Sequence, residues 1–258
     1  MAAELGRRLR HLGMARVTTS RPAFYALEPG GWRDYVTLLH PPYTLWHLSY
    51  VAIGAALAPG LDVERLVAAL AAFFLAVGIG AHALDELNGH PLRTRISDRT
   101  LVVLAALSIG GAVAIGVYAS IAYTWWLAPL VVAGGFIVCA YNLELFGGAF
   151  HSDAWFALAW GAFPLLAAYL ATAERMTVEA LVAAVFAAFL SLAQRQLSTQ
   201  VRTVRRRVAA VSGTVELADG TREPVTAETL TRAPEAALRA MTVAVVSLAA
   251  ALLVLRLG

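Results

Sequence analysis

Arg65-Leu-Val-Ala-Ala-Leu-Ala-Ala-Phe-Phe-Leu-Ala-Val-Gly-Ile-Gly-Ala-His82-Ala-Leu-Asp85-Glu86-Leu-Asn88-Gly-His90 decides the fold. Nothing between Arg65 and His82 is charged, and the run approaches the ~20 apolar residues a helix needs to cross a bilayer. It then turns abruptly polar. His82, Asp85 and Glu86 stand at i, i+3 and i+4 and share one helix face. Ionisable groups at membrane depth are expensive and usually functional, so the end of this segment marks a candidate site.

The same pattern recurs on either side. Apolar segments at 43–58, 65–88, 100–119, 124–143, 153–172, 178–200 and 237–256 give seven candidate spans. The fourth ends in Tyr141, Asn142, Glu144, His151 and Asp153; the sixth ends in Gln194, Arg195, Gln196, Ser198, Thr199 and Gln200. Even-numbered helices of an alternating bundle end on one side, so the three polar clusters are expected to converge. The predicted class is an all-α integral membrane protein, a polytopic bundle of about seven transmembrane helices.

Composition agrees: the 258 residues are 59% hydrophobic and only 14% charged. All 20 basic residues are arginine, which excludes Schiff-base chemistry on a lysine. With the N-terminus in the cytoplasm, sixteen arginines fall inside, while Arg65, Arg175 and Arg256 fall outside and Arg195 lies within a span. That asymmetry satisfies the positive-inside rule and puts the polar face in the cytoplasm. Cys139 stands alone, so no intramolecular disulfide is expected. The arginine-rich start has no following apolar core and does not read as a secretory signal. Leu5, Leu9 and Leu12 among Arg7, Arg8, Arg10 and Arg16 fit an amphipathic helix on anionic lipid or a basic tail. No nucleic-acid module is recognisable.

The chain divides into a basic cytoplasmic segment (1–40), a transmembrane core (41–207), a cytoplasmic loop (208–233) and a C-terminal transmembrane helix (234–258). Within the loop, Val215 and Leu217 alternate with polar residues ahead of Asp219-Gly220, a two-residue hairpin signal. Such a hairpin reads equally as a lid over the polar face or as a connector. Gly110, Gly111, Gly116, Gly134 and Gly135 suit close helix approach, and Pro129 and Pro164 are expected to kink their helices.

Chemically, Asp85 and Glu86 are candidate ligands for Mg²⁺, which takes one or two carboxylates plus phosphate oxygens. His82 pulls towards Zn²⁺, Mn²⁺ or Fe. Solvation of a helix end among lipid headgroups is the simpler reading of the same residues. Three pieces then follow in order: His40-Pro-Pro-Tyr-Thr-Leu-Trp46; the acidic end of the second span running into Pro91-Leu-Arg93-Thr-Arg95-Ile-Ser97; and Tyr141-Asn142-Leu-Glu144 followed by His151-Ser-Asp153-Ala-Trp-Phe-Ala-Leu-Ala-Trp160-Gly-Ala-Phe-Pro164. Together, over about residues 36–172, they resemble the UbiA superfamily of intramembrane prenyltransferases.

The resemblance implies a bundle around a lipid-facing cavity, with two aspartate-rich motifs holding Mg²⁺ and a prenyl diphosphate. Of the family's Asn-Asp-x-x-Asp-x-x-x-Asp motif this chain keeps Asp85, with Glu86 and Asn88 as substitutes; 191–203, where the second motif is expected, has no carboxylate. Arginine forks bind phosphate bidentately, so Arg195 and Arg202 are candidates to replace that motif.

The expected function is action on an isoprenoid or lipid diphosphate, with metal-assisted departure of diphosphate and prenyl transfer. The assigned roles are Asp85, His82 and Glu144 in catalysis, Asp85 and Glu86 on the metal, and Asn88, Arg93, Asn142, Gln194, Arg195, Ser198 and Arg202 on the substrate. The alternatives are a metal-dependent membrane enzyme of other chemistry on the same scaffold, and a non-catalytic lipid-binding or transport protein that has lost the metal motifs.

Overall fold

A computed structural model describes residues 21–258 and, ahead of them, the short strand Ala15–Arg16. The amphipathic helix expected over residues 4–16 falls outside the described residues, apart from Ala15–Arg16, which are extended. A short helix α1 (Trp32–Leu38) precedes α2 (Pro41–Leu57), whose first turn carries Pro41 and Pro42, where a missing N–H costs nothing. Then come α3 (Val63–Leu87), α4 (Asp98–Ala122), α5 (Leu127–Asn142), α6 (Asp153–Ala173), α7 (Val178–Arg207) and α8 (Ala227–Leu257).

The starts are chemically marked. Asp62, Ser97 and Ser152 each accept a main-chain N–H from the first turn they precede, and Thr226 forms a reciprocal capping box with Thr229. By length and composition α3, α4, α6, α7 and α8 can cross a membrane, and α5 is a shorter apolar helix. The protein is therefore a mostly helical, polytopic membrane protein.

The helix boundaries match the apolar segments except at the last connection. There α7 runs on to Arg207 and α8 begins at Ala227, so the linking segment is shorter than 208–233. Residues 227–236 are helical because the capping box starts them and Arg205 pairs with the nearly buried Glu235 at 2.5 Å, tying α8 to α7. Between the two helices β2 (Ala210–Val211) pairs with β1 (Ala15–Arg16), and β3 (Thr214–Glu216) pairs with β4 (Arg222–Pro224). The turn joining β3 to β4 is longer than Asp219-Gly220 alone. Leu217 exchanges main-chain bonds with Gly220 and Thr221, with Gly220 at φ 83°.

The packing centre is α2. Trp46, Tyr50 and Ile53 bury against Leu165 of α6, Ala187 of α7 and Val245 of α8. Backbones approach so closely here that a Cβ on Gly54 would collide with the carbonyl of Leu165, and one on Gly161 would lie 2.5 Å from that of Ala187. Small residues permit this, as is common between membrane helices. A polar thread crosses the apolar centre: Trp46 Nε1 donates to the Tyr50 hydroxyl at 2.6 Å, and Ser191 of α7 donates to the same oxygen at 3.2 Å.

The two prolines act differently from the expected kinks. Pro129 lies in the first turn of α5, where no intrahelical bond is lost. Pro164 follows a π-helical stretch, Leu158–Ala162, that widens α6. A second π-helical stretch, Phe74–Ala81, widens α3 just before His82. Such bulges often accompany functional sites.

The loop from α3 to α4 is held by charge. His90 Nε2 lies 2.8 Å from Asp98, and that bond, with help from Glu86, raises the imidazole above its ordinary range. A raised folded value means the contribution is complete below about pH 6.5 and fades as pH rises through the folded value. Both partners are substantially exposed, so the effect is small, at most about 1 kcal/mol. Wild-type protein is expected to lose roughly 1–3 °C of apparent Tm between pH 6 and pH 8. An Asp98→Asn variant should show a flatter profile by scanning fluorimetry.

Candidate functional site

The ends of α3, α5 and α7, the start of α2 and the start of α6 enclose a polar cavity of about 380 Å³. Its wall includes His82, Asp85 and Asn88 of the second polar cluster, Asn142, Glu144 and His151 of the fourth, and Gln194, Arg195, Ser198 and Arg202 of the sixth. Clusters separated by more than a hundred residues in sequence thus share one space. Two sequence candidates are elsewhere. Arg93 is exposed on the α3–α4 loop at φ 59° and does not line the cavity.

Glu86 is the clearer correction. It is fully buried and faces the α3–α4 loop, where its carboxylate accepts the amides of Leu92 (2.8 Å) and Thr94 (2.9 Å) and the Thr94 hydroxyl (2.8 Å). A carboxylate so used staples the loop and is not available as the metal ligand expected beside Asp85. Adjacency explains the split: at i and i+1 on a helix, Asp85 and Glu86 point in different directions. Asp85 lines the cavity and makes no hydrogen bond or ion pair among the described residues. Among the described residues no three of His, Cys, Asp and Glu gather into a set able to hold a metal ion.

Three histidines are fixed by main-chain carbonyls. Nδ1 of His47 meets the carbonyl of Trp160 (2.8 Å), that of His82 meets Gly78 (3.1 Å), and that of His151 meets Tyr141 (3.1 Å). A carbonyl only accepts, so each Nδ1 carries a proton. The π-helical stretches supply two of those carbonyls, from Gly78 and Trp160.

The arginines differ in freedom. Arg195 is half spent: its Nε binds Asp153 at 2.5 Å, Nη1 binds the Tyr141 hydroxyl, and the guanidinium lies over Phe156. Asp153 therefore clamps α6 to α7, also accepting from Gln196 at 2.7 Å, while Ser152 caps the helix. Arg202 and Arg206 also line the cavity. Their bonds are to Thr199 and to the carbonyl of Pro22, and among the described residues neither has an acidic partner. With Arg207, four arginines face the cavity against the two carboxylates of Asp85 and Glu144. The space is electropositive.

Sequence reasoning passes over His40 and Tyr25. His40 sits at φ 45°, ψ 59° directly before Pro41, a backbone state uncommon for a non-glycine residue. Its ring stacks on that of His82 at 4.0 Å and its Nδ1 meets the Tyr25 hydroxyl at 3.0 Å. Burial, and then His82, hold the His40 imidazole well below its ordinary range, so it is neutral. The available signal was the pair of prolines after His40. Pro22, Ala23, Phe24 and Tyr25 complete the wall, whereas no residue of 208–226 does, so the β3–β4 pair is no lid in this arrangement.

A second, apolar groove of about 130 Å³ runs between α3, α4, α5 and α6, lined by residues such as Ala72, Val77, Ile109, Gly134 and Phe163. Trp160 belongs to both walls. The groove and the polar cavity thus lie on two sides of one indole. This fold and site define a polytopic helical membrane protein with an arginine-rich cavity at the helix ends and an apolar groove beside it. The chain matches no family model, no curated protein and no solved structure.

Proposed function

We propose that this protein binds a membrane lipid, isoprenoid or otherwise, through a phosphate or diphosphate head. The head occupies the cavity among Arg202, Arg206 and Arg195, and the chain follows Trp160 into the apolar groove. The observation that carries this reading is that shared wall: a charged space and an oily one meet at one side chain, as an amphiphile requires. Guanidinium groups neutralise phosphate without a metal cluster. The resemblance to UbiA prenyltransferases supports the same division of head and tail, and the arginine distribution supports a cytoplasmic opening.

In lipid nanodiscs, farnesyl and geranylgeranyl diphosphate are expected to bind and geranylgeraniol to bind far more weakly. Each arginine contributes a charge-assisted bond of about 1.5 kcal/mol or more, so Arg202→Gln with Arg206→Gln should weaken diphosphate binding by roughly 100-fold. Equal binding of the alcohol and the diphosphate would sink the proposal. Titration by native mass spectrometry reads both.

A catalytic role rests on a separate observation, the Asp85 carboxylate in the cavity, which has no partner among the described residues. One carboxylate together with phosphate oxygens suits Mg²⁺, which as a Lewis acid would ease departure of the diphosphate. On this reading pyrophosphate release requires Mg²⁺ and is lost in Asp85→Asn while binding persists. Binding without release in wild-type protein leaves the lipid-binding or transport role.

A further inference from the structure

Gln194 lies deep on the inner face of α7, only 2% exposed, and its side-chain Oε1 has no hydrogen-bond partner among the described residues. Its neighbours on that face are satisfied: Ser191 donates to Tyr50, and Ser198 donates to the carbonyl of Arg195. Three wholly buried side-chain atoms lack a partner among the described residues, and two of them, Gln194 Oε1 and His40 Nε2, belong to residues lining the polar cavity. A buried polar atom left unpaired costs about 1–3 kcal/mol. Both residues line the same cavity, so a ligand bound there is a partner within their reach.

The chemistry of that ligand follows from what Gln194 Oε1 can do. It is an acceptor and needs a proton donor. An ionised phosphate offers none and is repelled by a carbonyl oxygen, so the phosphate belongs with the arginines. A guanidinium, conversely, only donates and leaves the proton of a hydroxyl without an acceptor. The cavity thus has a cationic part and a neutral part with different demands. His40 belongs to the neutral part because its imidazole is uncharged, and its Nε2 donates if Nδ1 accepts from the Tyr25 hydroxyl and accepts if Nδ1 donates to it.

We propose that Gln194 and His40 form a neutral subsite that recognises a hydroxyl group beside the phosphate. The favoured ligand is then a phospholipid with a polyol head rather than a bare phosphate or diphosphate. This deepens the lipid-phosphate reading and rests on it.

The test uses the full chain in nanodiscs, titrated with chain-matched phosphatidic acid, phosphatidylglycerol and phosphatidylinositol, with diacylglycerol as the phosphate-free reference. Wild-type protein should bind the two polyol lipids about tenfold more tightly than phosphatidic acid, the worth of one satisfied buried hydrogen bond. Gln194→Leu should lose that preference, the polyol lipids falling to the affinity of phosphatidic acid, and Gln194→Met, closer in shape, should do the same. A preference restored by adding free glycerol or inositol to phosphatidic acid would keep the subsite and place the hydroxyl on a separate molecule.

Equal affinities for all three phospholipids in wild-type protein, or a preference that survives both Gln194 variants, would overturn the subsite alone. Phosphatidic acid binding no better than diacylglycerol, and farnesyl diphosphate no better than its alcohol, would instead overturn the phosphate reading beneath it.

Discussion

Glu86→Ala is expected to be the most damaging single change near the site, and to act through stability. The carboxylate is fully buried and accepts two main-chain amides and one hydroxyl from the α3–α4 loop. Truncation leaves at least the amides of Leu92 and Thr94 without an acceptor, each at about 1–3 kcal/mol. A total of roughly 2–6 kcal/mol corresponds to an apparent Tm lower by about 4–24 °C for a chain of this size. Glu86→Gln keeps one acceptor oxygen but turns an NH₂ towards donors, so an intermediate loss follows. Scanning fluorimetry in nanodiscs measures both. A Glu86→Ala protein with wild-type Tm but altered metal dependence would return Glu86 to the role of ligand.

Gly54→Ala is the second large effect. In an ordinary membrane helix the change gains about 1 kcal/mol from helix propensity. Here the added Cβ meets the carbonyl of Leu165, a backbone atom that cannot rotate away. Overpacking of this kind costs about 1–3 kcal/mol, and more where backbone must shift, so the net is destabilising. Gly161→Ala should behave alike, since its Cβ falls 2.5 Å from the carbonyl of Ala187. Gly110 is the control, with nothing within 4 Å of a Cβ, and Gly110→Ala should be neutral or slightly stabilising. Equal Tm values for Gly54→Ala and Gly110→Ala would contradict the close approach of α2 to α6.

Both α3 and α6 depart from regular geometry beside the cavity. Each carries its π-helical stretch at the level of the cavity, and each lends a carbonyl to a histidine there. A regular helix keeps its carbonyls on its own ladder. Pro164, four residues beyond Trp160, has no N–H to offer its carbonyl, which is left to His47, on a helix more than a hundred residues away in sequence. His47 and His82 are thus oriented by carbonyls of helices that form the wall.

The helices were legible in the sequence because a bilayer demands long runs of apolar residues, a constraint each segment meets by itself. The meeting of the ends of α3, α5 and α7 was legible too, since alternation of a chain through a membrane leaves no other side for them. Which polar residue faces the cavity was not. Asp85 and Glu86 are adjacent carboxylates with the same composition around them, and only the return of the α3–α4 loop gives Glu86 its three donors and leaves Asp85 to the cavity. Asp153 and Arg195 pair across 42 positions, whereas among the described residues Arg202 and Arg206 make no ion pair with a carboxylate. The contact of cavity with groove at Trp160 is likewise a property of four helices at once. Hydrophobicity is local and can be read residue by residue; the partner of a buried polar atom is chosen by long-range packing, and only the tertiary structure decides it.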